Sequence, residues 1–136
     1  MKQLSIALVL FLTLSANTCK NSTGEMPSLK DRKWVFASIA GEAINLPEGA
    51  ERPWLQLAGD QLQGFGGCNR LMGGYTLEGT ALRFSDVGST KKYCEGIQPT
   101  ETAIMSMLGK VDGYKMDGGT LKLLSGKSEL AALQAE

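Results

Sequence analysis

Histidine is absent from the 136 residues. That removes the commonest general base and the commonest metal ligand together. Charge of one sign is lacking too: 14 Lys and Arg face 14 Asp and Glu. With no basic stripe for a phosphate backbone, nucleic acid is excluded as the expected partner. Long hydrophobic runs are scarce. Ile6 to Leu14 is almost wholly apolar, but a membrane-spanning helix needs roughly 20 such residues. Preceded by Lys2, the run has the make-up of a signal peptide, assigned here to residues 1–18. The expectation is an exported protein, not a membrane-spanning one.

Cysteine is present in an odd number, three. Cys19 follows the apolar run in Leu14-Ser15-Ala16-Asn17-Thr18-Cys19, where bacterial lipoproteins carry the acylated cysteine that becomes the mature N-terminus. Several acyl chains together give stable membrane anchoring. Thr18 and Ala16 stand where a small residue and an aliphatic one are usual. The competing reading is ordinary cleavage after Ala16, which would leave Cys19 a spare thiol. Residues 19–27 are polar and suit a tether. The Asn21-Ser22-Thr23 sequon inside it is read as chance. In an oxidising compartment Cys68 and Cys94 are expected to pair, against the alternative of two free buried thiols.

Residues 28–136 make one domain. A short helical turn is expected over Leu29 to Lys33, then a strand from Trp34 to Ile39. Ile44 and Leu46 suggest a short edge strand. From Trp54 onward large apolar residues recur two apart between glycine turns, which is strand spacing. Pro99, Glu101, Ile104, Met105 and Leu108 mark the one clear helix, with Gly109 as its stop and Glu101 as an N-terminal helix charge. A three-strand meander follows. The fold class expected is α+β, mainly β: a strongly curved antiparallel sheet forming a partly open barrel packed around one main helix.

The densest segment is Gly64-Phe65-Gly66-Gly67-Cys68-Asn69-Arg70-Leu71-Met72-Gly73-Gly74-Tyr75. It lacks the third glycine of a dinucleotide fingerprint and the Lys-Ser/Thr of a phosphate loop. Asn69 is expected to tolerate left-handed backbone and bond its own turn.

Gly67-Cys68-Asn69, then Gly74-Tyr75 and Gly79, then Thr90 and Cys94 four residues on, then Glu101 opening an apolar helix, resemble the ordered signature of META/HslJ domains. Trp34 and the Leu121-x-Leu123 pattern also fit. The likeness covers about residues 28 to 133. Lys92-Tyr93 departs from the usual Met-Ala, and Ile104 and Met105 stand where aromatics are common. The resemblance implies a curved sheet around a helix in a bacterial envelope protein, associated with heat-shock response or drug tolerance. It brings no established activity and no cofactor.

The leading functional expectation is therefore a non-enzymatic envelope lipoprotein, facing periplasm or cell surface. It would be held to the membrane through Cys19, with an envelope protein or a hydrophobic ligand as candidate partner. The alternative is a hydrophobic carrier lined by Leu55, Leu57, Phe65, Leu82, Phe84, Met105 and Met107, residues that otherwise read as core. Candidates for catalysis are Asp60, Asp86, Glu95 and Glu101, with Ser85, Ser89 and Thr90, but none forms a known motif, and no catalytic or metal site is expected. Trp34 and Trp54 read as core or sheet-edge aromatics in preference to a sugar platform.

Overall fold

Alternation of apolar and polar residues turns most of this chain into sheet. The computed structural model describes residues 28–136; the leader, Cys19, the tether and the Asn21-Ser22-Thr23 sequon lie outside the described residues. The order is β1 (Lys33–Ile39), β2 (Glu42–Ala43), β3 (Trp54–Ala58), β4 (Gln61–Phe65), β5 (Arg70–Glu78), β6 (Ala81–Ser89), α1 (Gln98–Leu108), β7 (Gly113–Asp117), β8 (Thr120–Ser125) and β9 (Ser128–Ala135). All strand pairs are antiparallel, in the order β6-β5-β4-β3-β1-β9-β8-β7, with β2 paired to β1.

The sheet curls until its two ends meet at one corner, where the Tyr114 N–H donates to the Thr80 carbonyl at 3.0 Å. Register shifts at Phe36/Ser38, Met72/Gly74 and Leu123/Leu124 mark irregularities in three strand pairs. An extra residue on one strand bends it and raises its twist, which is what a closing sheet needs. The result is the half-barrel around one helix that the sequence pattern implies.

Every long strand sends large side chains into the concave side, β7 through the half-buried Tyr114 and Met116. Trp34 and Phe36, Leu55 and Leu57, Leu62, Leu71 and Tyr75, Leu82, Leu121 and Leu123, and Leu133 are all buried in one core. The helix fills the centre with Ile104, Met107 and Leu108. Met105, expected inside, is only half-buried, and Met107 takes its place. Of the expected carrier lining, Leu55, Leu57, Leu82 and Met107 belong to this core, while Phe65, Phe84 and Met105 are half-buried.

Three local expectations are corrected. Leu29 to Lys33 forms no helical turn. Lys30 bridges Leu57 in parallel, the Asp31 N–H donates to the Leu57 carbonyl at 2.8 Å, and the Trp34 indole donates to the Leu29 carbonyl at 3.0 Å. Burial of Leu29 and Trp34 overrides local propensity there. The edge strand is Glu42–Ala43, not Ile44 and Leu46. Ala40 (φ 51°) and Gly41 (φ 80°) turn the chain straight back on β1, the two positive φ angles that a tight hairpin requires. Gly109 does end α1, but at φ −68°. The helix stops because Val111 is drawn into the core, with the Lys110 N–H closing on the Met107 carbonyl at 2.9 Å.

Outside the core, Lys122 lies 3.1 Å from Glu129 and 3.5 Å from Asp117. The Glu129 hydrogen bond and charge hold its ammonium above the ordinary lysine range.

Because Leu108 is fully buried where helix meets barrel, Leu108→Ala is expected to remove about 2–5 kcal/mol of stability. A lower urea midpoint at constant m is the measurement. A loss below about 1 kcal/mol would mean that α1 is not seated against the sheet.

Candidate functional site

Between β4 and β5 the chain turns through Gly66 to Asn69, with the Gly66 N–H donating to the Asn69 carbonyl at 2.8 Å. Two glycines are needed here for different reasons. A Cβ on Gly66 would lie 2.7 Å from both Cγ and Oε2 of Glu101. Gly67 has φ +108°, which L-residues rarely adopt, and a Cβ there would meet Ile97 Cγ2 at 2.7 Å. The loop is glycine-rich because the start of α1 is pressed against it.

Glu101 reaches this loop from the first turn of α1 and is only 4% exposed. It is a helix N-terminal charge, as expected, and it is buried. Its Oε2 accepts from the Cys68 N–H at 3.2 Å and the Asn69 N–H at 2.6 Å, and its Oε1 accepts from Asn69 Nδ2 at 2.6 Å. No cation pairs with it among the described ion pairs. N–H donors and the positive end of the helix dipole replace the water it gives up.

Asn69 is 2% exposed, and its backbone is not left-handed. Nor does its side chain bond its own turn. Oδ1 accepts from Thr90 Oγ1 at 2.9 Å and the Lys92 N–H at 2.7 Å. Nδ2 donates to the Lys92 carbonyl at 2.9 Å and to Glu101 Oε1. An amide side chain has two acceptor and two donor positions, and here all are filled. Thr90 closes the far side, its Oγ1 accepting from the Arg70 N–H at 3.1 Å and its own N–H donating to the Arg70 carbonyl at 3.1 Å.

Cys68 and Cys94 are joined by a disulfide, with Cα atoms 5.8 Å apart and 26 residues of separation. A loop of that size contributes about 3–4 kcal/mol in the chain-entropy description. Gly67, Cys68, Asn69, Thr90, Cys94 and Glu101 thus meet in one place. Gly74 and Tyr75 serve another junction. A Cβ on Gly74 would lie 2.9 Å from Ser85 Oγ, and the Tyr75 hydroxyl donates to the Gly59 carbonyl in the β3–β4 turn.

Of the catalytic candidates, Ser89 and Thr90 line a small cavity with Glu101, and the other carboxylates are not gathered there. Asp60 is exposed in a turn, Asp86 is exposed in β6 at φ 52°, and Glu95 is exposed before α1. Sequence reading missed Lys92, whose backbone N–H and carbonyl both bind Asn69. Main-chain groups carry no residue-type signal, so no motif could have disclosed it.

A family model described as the META domain matches residues 27–136. The chain belongs to the META domain family, the HslJ-like group of mainly β half-barrels. Among solved structures it is similar to an NMR structure of a protein from Burkholderia xenovorans, with 29% identity and a TM-score of 0.64 over 79% of this chain and 83% of that one. It is also similar to a second protein solved by NMR, with 17% identity and a TM-score of 0.62 over 80% of this chain and 95% of that one; that likeness concerns the fold alone. No curated protein matches the chain.

Glu101→Ala would strip three N–H donors of their acceptor, at about 1–3 kcal/mol each, so a loss above about 3 kcal/mol is expected in urea unfolding. Glu101→Gln should recover little, since its new N–H group would face donors. Gly66→Ala should behave like Glu101→Ala because the methyl group takes the carboxylate's place. Stability within about 0.5 kcal/mol of the parent in all three would show the contact to be dispensable.

Proposed function

We propose that this META domain protein is a lipid-anchored component of the bacterial envelope that works by binding, without catalysis, in stress or drug tolerance. The observation that carries the reading is the saturation of the motif's polar groups. Asn69 has all of its hydrogen-bonding positions filled within the protein, and both Glu101 oxygens accept from N–H donors of the loop. Asn69 and Glu101 are only 2% and 4% exposed, whereas a general base or nucleophile must reach its substrate. The motif holds the helix to the sheet, and recognition falls to other surfaces.

The anchoring part of the proposal rests on the cysteines. Cys68 and Cys94 occupy each other, as suits an oxidising compartment, and leave Cys19, a few residues after the apolar run, as the acyl acceptor. A carrier of apolar ligands has less to work with, because Leu55, Leu57, Leu82 and Met107 are already packed against one another and against Ile104 and Leu108.

Two measurements separate these readings. Intact mass of membrane-fraction protein is expected to show a chain starting at Cys19 and carrying acyl groups. A species beginning at Asn17 with no added lipid mass would remove the anchor. Thermal unfolding with a saturating panel of fatty acids is expected to show no shift, whereas ligand at about 100 times its Kd would add about 2.7 kcal/mol if the core opened to hold it.

A further inference from the structure

The outer face of the half-barrel does not follow the polar pattern expected of a solvated sheet. On β3, β4 and β5 the residues alternating with the core set Leu55, Leu57, Leu62 and Leu71 include Trp54, Phe65 and Met72. Trp54 stands directly across from Phe65, Phe65 from Arg70, and Gln63 from Met72. Trp54 and Phe65 are half-buried, and Met72 is 55% exposed. Together with Glu51 from the preceding loop they line a groove of about 500 Å³. Small-molecule sites run from about 300 to 1,000 Å³. None of these side chains belongs to the Asn69–Glu101 lock.

The lining chemistry decides the class of ligand. An acyl chain would need an enclosed apolar slot, and this groove is open and carries an amide, a carboxylate and a guanidinium. A polyanion would need excess positive charge, and Arg70 is balanced by Glu51. A sugar fits both halves. Its C–H face lies against aromatic rings, and its neighbouring hydroxyls pair with planar groups that bind at two points. The Trp54 indole N–H donates to Glu51 Oε1 at 3.2 Å, which fixes ring and carboxylate together and leaves Oε2 as an acceptor. Lys33 Nζ lies 5.2 Å from the Trp54 ring centroid, which further holds the indole in place.

We propose that this groove binds a neutral oligosaccharide, with Trp54 and Phe65 as the stacking floor and Gln63, Glu51 and Arg70 as the hydrogen-bonding rim. The site lies wholly on the described domain and does not depend on acylation of Cys19.

The test is a fluorescence titration of the full mature protein with a chitin trisaccharide and a cellulose trisaccharide. Trp34 is 1% exposed, so the change in emission comes from Trp54. A saturable change is expected for at least one sugar, weakened at least about tenfold, judged by calorimetry, in Trp54→Ala and clearly weakened in Gln63→Ala. Gln63 is exposed, so Gln63→Ala decides the matter if Trp54→Ala fails to fold. No response to either sugar at about 10 mM, or equal binding by the parent and Gln63→Ala, would overturn the proposal.

Discussion

The Glu101 carboxylate is taken out of water and set on the backbone N–H groups of Cys68 and Asn69, and the placement of α1 follows from that contact. A buried charge without a partner costs several kcal/mol, so the helix can settle only where donors already wait. The β4–β5 turn supplies them, provided residue 66 has no side chain in the way. Once Glu101 is fixed, helical geometry puts Ile104 and Leu108 one and two turns further on, facing the barrel core. The disulfide draws the segment before the helix to the same loop. Electrostatic, steric and covalent constraints therefore converge on four residues, 66 to 69. Weakening any one of them leaves the helix position under-determined, in a domain whose core is organised around that helix.

Strands were legible in the sequence because burial on one face imposes a period of two, and residues such as Leu55, Leu57, Leu62 and Leu82 obey it. The helix was legible for the same kind of reason, with Met105 half-buried at the margin of the inward stripe and Met107 more deeply buried. At about 100° per residue Met107 lies roughly 60° from Ile104 on the side away from Glu101, whereas Met105 is about 100° away. The motif residues were identified, but their work was not. Asn69 and Glu101 look like a turn residue and a helix charge because their partners lie more than 20 positions away, and several of those partners are backbone atoms. Leu29 to Lys33 shows the converse: a segment with local helical character was overruled by tertiary burial.

The two faces of the sheet are under different constraints. The concave face is filled by its own side chains and by α1, so the family's glycine and asparagine signature describes a way of seating a helix. On the convex face, side chains at positions 54, 63, 65 and 72 are fixed in register by the strands but are not required by the core. A rigid scaffold with adjustable outward residues is what a binding module needs.

The same separation accounts for Lys92-Tyr93 standing where the family resemblance leads one to expect Met-Ala. The lock uses the main chain of Lys92, not its side chain, so any residue whose N–H and carbonyl can reach Asn69 satisfies it. Lys92 and Tyr93 can therefore replace an apolar pair at no cost to the framework, and Tyr93 is turned outward, 78% exposed. Gly64 shows the opposite limit. A Cβ there would meet the Trp54 carbonyl at 2.8 Å and Leu55 Cδ2 at 2.9 Å, so the close approach of β3 and β4 that sets Trp54 beside Phe65 depends on a position with no side chain at all. The outward groove is thus shaped from within: freedom to vary its rim exists because the backbone beneath it has almost none.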